Sequence, residues 1–187
     1  LYERKVPVKE TLTLKSATFA QGRQMGKTLI LPVRWNLATA KPVLGINPAE
    51  KLLTNGIRGS LKYSDFEWCS WTNNDSVSFT IDLLKPEVLN TLTLGCITNN
   101  GMAIHKPASV KVEVSDDNSN FREAAMQSFT PEEIFREGNF IENLPLKLGG
   151  TQGRYVRVSA KGPGVCPASH VRPGQTSRIF FDEVMLE

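Results

Sequence analysis

The sequence predicts an all-β fold. Apolar and polar residues alternate with period two in run after run. Each run is bounded by Gly, Asn, Pro or Asp, and no long amphipathic helix separates one run from the next. In order along the chain, Leu12 and Leu14 followed by Ala17 and Phe19 give a first strand, Gln21-Gly22-Arg23 a turn, and Thr28 to Val33 a second extended run. Two or three strands cannot bury a core alone, so residues 1–43 either pack on the main domain or belong to a larger domain of their own. A linker near Lys41-Pro42 separates them from the main unit, residues 44–187. There Val77, Phe79, Ile81 and Leu83 share one face against Ser76, Ser78, Thr80 and Asp82. Leu92, Leu94 and Cys96 repeat the pattern, as do Val110, Val112 and Val114, then Val156, Val158 and Ala160. Ile179 to Leu186 forms the last strand. Half-buried antiparallel strands in this number make a sandwich or jelly roll. One short helix interrupts them: Thr130 caps, Pro131 suits the first turn, Glu133 closes a capping box and Gly138 ends it. Ser115-Asp116-Asp117-Asn118 is a turn by its chemistry.

Composition excludes several functions. The chain has 187 residues, a net charge of +3 with the signs interleaved, and 40% hydrophobic content, as a soluble globular domain does. Such a balance gives no electrostatic footprint for nucleic acid or an anionic membrane, and no run nears the roughly 18 apolar residues that membrane insertion needs. Cys69, Cys96 and Cys166 lack metal-ligand spacing and leave room for one disulfide at most. With two histidines, His105 and His170, and no nucleophile elbow, phosphate loop or zinc-protease motif, the chain reads as a non-enzyme.

Five segments carry chemistry. Leu53-Thr54-Asn55-Gly56-Ile57-Arg58-Gly59-Ser60 is a tight, carbonyl-rich loop of the kind that ligates hard cations, or an ordinary turn. Asp182 and Glu183 interrupt an apolar strand, so one of them points inward and needs either Arg58 or a calcium ion. Trp71, followed by Thr72-Asn73-Asn74-Asp75, is either a sugar-stacking platform or a core residue. Thr98-Asn99-Asn100-Gly101 leading to His105-Lys106-Pro107 is a long polar connection, either a plain hairpin or a loop of the recognition type. Gly162 to Ser177, with Cys166, His170 and Arg172, is a folded loop over one end of the sandwich; its His and Arg suit a hydroxyl-rich or anionic ligand, or His170 simply packs the loop.

Together these segments resemble the coagulation factor V/VIII type C (discoidin-like) domain. The resemblance rests on Thr54 to Ser60 with Asp65, Trp68 and Phe79-Thr80-Ile81-Asp82-Leu83, on Pro107 to Asp117 with Phe121, on Arg154 to Val158, and on Phe180 to Val184. Asn55-Gly56-Ile57-Arg58-Gly59-Ser60 and Cys166-Pro167 with His170 are similar to the variant at the C-terminus of Bacteroides-like family 20 glycoside hydrolases, the β-N-acetylhexosaminidases or chitobiases. Tyr2 to Gly26 looks like the end of the Ig-like domain that precedes it there. The resemblance implies a discoidin-like jelly roll after a few strands of a truncated Ig-like domain. It also implies a periplasmic or extracellular accessory module whose partners are its own catalytic domain and a glycan containing GlcNAc, GalNAc or Gal. It maps a structural calcium ion to Asn55, Ser60 and Glu183, with Asn55 standing where relatives have Asp and so weakening the site. Relatives carry tryptophans near Ala103, Ser169 and Arg178. Without them Trp71, Asn99, Asn100, His105 and Arg172 remain as glycan ligands. The alternative is a purely structural domain that docks on the catalytic barrel through apolar loop tips such as Met102 and Ile104.

Overall fold

A computed structural model describes residues 8–45, 52–71 and 76–187. Nearly every element is a strand. The alternating runs appear as β1 (Leu12–Ala20), β2 (Arg23–Val33), β3 (Val43–Leu44), β4 (Cys69–Trp71), β5 (Ser76–Asn99), β6 (Ser109–Ser115), β7 (Arg122–Ser128), β8 (Asn139–Lys161) and β9 (Ile179–Leu186), with α1 (Pro131–Ile134) as the short helix. The capping box is formed as the sequence predicts, with Thr130 N–H donating to Glu133 Oε2 at 2.8 Å and Glu133 N–H to Thr130 Oγ1 at 3.3 Å.

The two longest strands are the frame. β5 and β8 pair antiparallel over most of their length, and the register breaks between Asp82 and Glu87 and again between Leu89 and Thr91. Leu84 (φ 71°) and Gly149 and Gly150 (φ 63° and 78°) take left-handed backbone at that break. The hairpin therefore folds over and serves both layers of a sandwich. In one layer β6 pairs with residues 155–161 of β8, β7 with β6, and β3 with Ile81 and Thr80 of β5. In the other, β9 pairs with residues 92–96 of β5, and β4 with β9. The inward faces are the predicted ones. Phe79, Ile81, Leu92, Leu94, Val112, Val156, Val158, Phe181 and Val184 form one core, and a smaller cluster of Trp68, Ile97, Ile104 and Phe180 lies apart from it.

β1 and β2 form a separate two-stranded hairpin, turning at Gln21 and Gly22 with φ 49° and 76°, the left-handed pair that suits a tight hairpin turn. Phe19, Met25, Leu29 and Ile30 are exposed on it. From Val33 onward the chain joins the sandwich, and Ala38 is already in its core. Cys96 and Cys166 are buried free thiols and Cys69 is buried on β4, so the disulfide the sequence allows does not form. Tyr2 and Asn73, Asn74 and Asp75 lie outside the described residues.

Candidate functional site

The strand order brings the connections 100–108, 129–138 and 162–178 to one end of the sandwich. Asn99 ends β5, and its Oδ1 accepts Met102 N–H at 3.2 Å, closing a 3-10 turn over Asn100–Met102. Ala103 then takes φ 52°, and His105 N–H donates to Arg178 O at 3.0 Å, tying this loop to the start of β9. In the longest loop Cys166 N–H donates to Gln175 O at 2.9 Å and Gly174 N–H to Cys166 O at 3.0 Å, so the segment is folded, as its length requires.

Where the three loops meet, Asn100, Phe135, Glu137, Pro167, Ser169, His170 and Val171 line a pocket of about 130 Å³. That is well below the roughly 300–1,000 Å³ of sites enclosing drug-sized ligands, and it suits one small hydroxylated ring. Its inner wall is aromatic: the His105 ring centroid is 5.0 Å from both Phe135 and His170. Burial and the neighbouring His170 depress the pKa of His105 to about 4, against a small opposing contribution from the Ile134 backbone, so it is neutral at physiological pH. Arg172, the residue after pocket-lining Val171, is exposed, donates its Nε–H to Gly101 O, and has Nη1 3.4 Å from Gln175 Oε1.

The predicted glycan residues therefore separate. Asn100 lines the pocket and Arg172 stands at its edge. His105 is fully buried, so it supports the wall and cannot touch a glycan. Asn99 is engaged in closing its turn. Trp71 is half-buried on β4, and its ring packs on Phe181 at 5.5 Å, so the core alternative describes it and the platform does not. Met102 and Ile104 are not exposed tips: Ile104 is fully buried, with Met102 packed against its cluster. Phe135, Glu137 and Ser169 were not anticipated, because nothing local marks residues of three distant loops as neighbours.

The predicted cation site is built differently. Opposite Gly95, β9 carries two residues, Asp182 and Glu183, in a bulge between the pairs Leu94↔Val184 and Cys96↔Phe181. Both carboxylates are fully buried under the 55–60 loop, where alternation predicts only one pointing inward. Asp182 Oδ2 accepts from Arg58 Nε at 2.7 Å and from Gly59 N–H at 2.9 Å, and Glu183 Oε2 accepts from Gly56 N–H at 3.0 Å. The loop thus offers N–H groups to the carboxylates. A calcium ion takes six to eight oxygens. Asn55 Oδ1 instead accepts Ile57 N–H (2.8 Å) while its Nδ2 donates to Glu67 Oε2 (2.7 Å), and exposed Ser60 accepts Lys62 N–H on Oγ (3.2 Å). As arranged, the side chains of Asn55 and Ser60 are engaged within the loop and do not form a calcium cage with Glu183, while Arg58 pairs with Asp182 and not with Glu183. Desolvation raises Glu183 to a pKa of about 9, reinforced by Asp182 and opposed by Gly56 N–H and Arg58. Its second oxygen, Oε1, is buried with no partner.

Close approach fixes the loop as well. A Cβ on Gly59 would stand 2.3 Å from the Trp68 indole, whose Nε1 donates to Ser60 O at 3.0 Å. Gly59→Ala is expected to cost about 1–3 kcal/mol by overpacking, read as a lower midpoint in urea with an unchanged slope.

Residues 42–171 match the family model of the F5/8 type C domain, and the chain belongs to that family. Solved structures share the fold at low identity. The Clostridium perfringens module CpGH89CBM32-6 is 17% identical with a TM-score of 0.52, covering 82% of this chain and 98% of that one. A chitosan-binding module from a Paenibacillus sp. IK-5 chitosanase/glucanase is 14% identical at TM-score 0.51, covering 82% and 99%. The lectin-binding domain of lectinolysin, in complex with Lewis b, is 16% identical at TM-score 0.52, covering 83% and 97%. A search of curated protein sequences finds no match.

Proposed function

We propose that this chain is a non-catalytic carbohydrate-binding module that holds a terminal sugar in the loop-end pocket. The observation that carries the reading is the pocket itself: a small recess with polar groups from three loops on its rim and an aromatic wall at its back. Sugar rings pack C–H faces on aromatics while amides, hydroxyls and charged groups take their hydroxyls. Asn100, Glu137, Ser169 and Arg172 supply the latter, and the half-buried Phe135 edge the former. A recess for one residue buries little area, so binding is weak and depends on several sugar ends or on attachment to an enzyme. The candidate ligands are glycans ending in GlcNAc, GalNAc or Gal. The parent is a secreted glycoside hydrolase of the β-N-acetylhexosaminidase type, the reading that the Asn55 to Ser60 and Cys166 to His170 motifs support. The β1–β2 hairpin belongs to a preceding Ig-like unit, and its exposed Phe19, Met25, Leu29 and Ile30 are the surface that meets the catalytic domain.

The test is retention on immobilised GlcNAc, GalNAc and Gal. Wild type is expected to be retarded on at least one of them. Glu137→Ala and Arg172→Ala, both at exposed positions, are expected to lose the retardation with unchanged melting temperature. Retention that survives both substitutions would place the site elsewhere. A well-folded sample retarded by none of the gels would favour the purely structural alternative.

A further inference from the structure

Three side chains meet in the interior of the loop end, of which only His170 also lines the pocket. His105 (0% exposed), Cys166 (3%) and His170 (8%) offer ligand atoms that all lie within 4.8 Å of one another. Both ring nitrogens of His105 are buried and neither makes a side-chain hydrogen bond; the Ile134 backbone approaches, too poorly aligned for a well-formed hydrogen bond. Leaving such a group unsatisfied in the interior is unfavourable. Cys166 Sγ has a weak 3.5 Å contact with Ser177 Oγ.

We propose that His105, Cys166 and His170 form a site for a transition-metal ion of the zinc class, which pins the 162–178 loop to the loop following β5. Two imidazoles and a thiolate are the donor set of borderline-soft ions and are wrong for calcium or magnesium. Bonds of about 2.0–2.3 Å in tetrahedral geometry set ligand atoms roughly 3.3–3.8 Å apart, so the observed cluster needs to contract by about 1 Å. Side-chain rotation supplies that. On binding, the Cys166 thiol gives its proton to solvent, and a water takes the fourth position. His170 Nδ1 now accepts Arg172 N–H at 3.0 Å, and Nε2 lies 3.3 Å from Asn100 Nδ2. An ion on either nitrogen therefore replaces one existing contact, whereas His105 gives up at most its weak approach to the Ile134 backbone. Sequence spacing hides the site because His105 is contributed by a connection far from the Cys166-Pro167-x-x-His170 run. The site stands whether or not the pocket binds sugar, and His170 belongs to both.

The experiment is a titration of the reduced, chelator-stripped protein with cobalt(II), then zinc(II). One equivalent of cobalt is expected to bring up a thiolate-to-cobalt charge-transfer band, which zinc abolishes by displacement. Zinc at 100 times its dissociation constant is expected to raise the melting temperature, and calcium to leave it unchanged. Cys166→Ser should remove the band while its metal-free melt matches that of wild type, and His105→Gln should weaken cobalt binding at least tenfold. Absence of the band from folded wild type, or a band that survives Cys166→Ser, would overturn the proposal.

Discussion

Arg58→Ala is expected to destabilise the domain more than any surface substitution. Arg58 Nε sits 2.7 Å from Asp182 Oδ2, with 17% of the arginine side chain exposed and none of the aspartate. Removing one partner of a buried ion pair leaves an uncompensated charge, which costs about 3–5 kcal/mol. For a chain of this length that is a fall in melting temperature of roughly 6–20 °C. Lysine does not restore the loss, because a guanidinium presents Nε–H in a fixed plane and an ammonium does not. Combining Arg58→Ala with Asp182→Asn should cost less than the sum of the two single changes, since each removes the other's reason to be charged. Additive losses would show that the pair is not coupled.

Glu183→Gln is expected to stabilise. The carboxyl has a folded pKa of about 9 against an ordinary 4.5. Because the folded value is the higher one, its stabilising contribution is complete below about pH 4.5 and is lost as the pH rises toward 9. Each unit in that window removes about 1.4 kcal/mol, so the group costs about 3 kcal/mol at pH 7 relative to its neutral form. A glutamine carries no charge to desolvate and keeps an oxygen for Gly56 N–H. The difference in unfolding free energy between variant and wild type should therefore grow from near zero at pH 4.5 to a few kcal/mol at pH 8. Asp82 shifts the other way, held low by its bidentate bond to Arg154, but it is common to both proteins and cancels. A calcium ligand would behave oppositely, with the glutamine variant melting lower at neutral pH.

Both predictions arise where sequence and structure part company. The alternation Val77-Phe79-Ile81 or Val110-Val112-Val114 declares its face because a strand has only two faces and water chooses between them. The capping box at Thr130 is legible because all its atoms lie within one turn. Asp182 and Glu183 are not, since the bulge that buries both is set by the partner residue Gly95, whose Cβ would stand 1.9 Å from Asp182 Oδ1. The 55–60 loop misleads for a related reason. Its glycines suggest carbonyls turned toward a cation, but the acids of β9 recruit its amides. At the loop end, Asn100 and Arg172 are recognisable as polar residues in long connections. That Phe135 and Glu137 join them depends on how three loops of different length close over one edge. Trp71 shows the converse: a tryptophan before a polar run invites a binding role, and Phe181 claims its ring for the core.

Sugar binding at the loop end is what gives this domain its proposed function. Backbone amide chemical shifts of the 15N-labelled protein, followed during titration with GlcNAc, GalNAc and Gal in turn, test it most directly. One sugar is expected to move the amides of residues 100–105, 135–137 and 168–172 in a saturable way and to leave Met126, Lys147 and Ser159 on the strands unchanged. Shifts confined to those strand residues, or none with any of the three sugars, would contradict it.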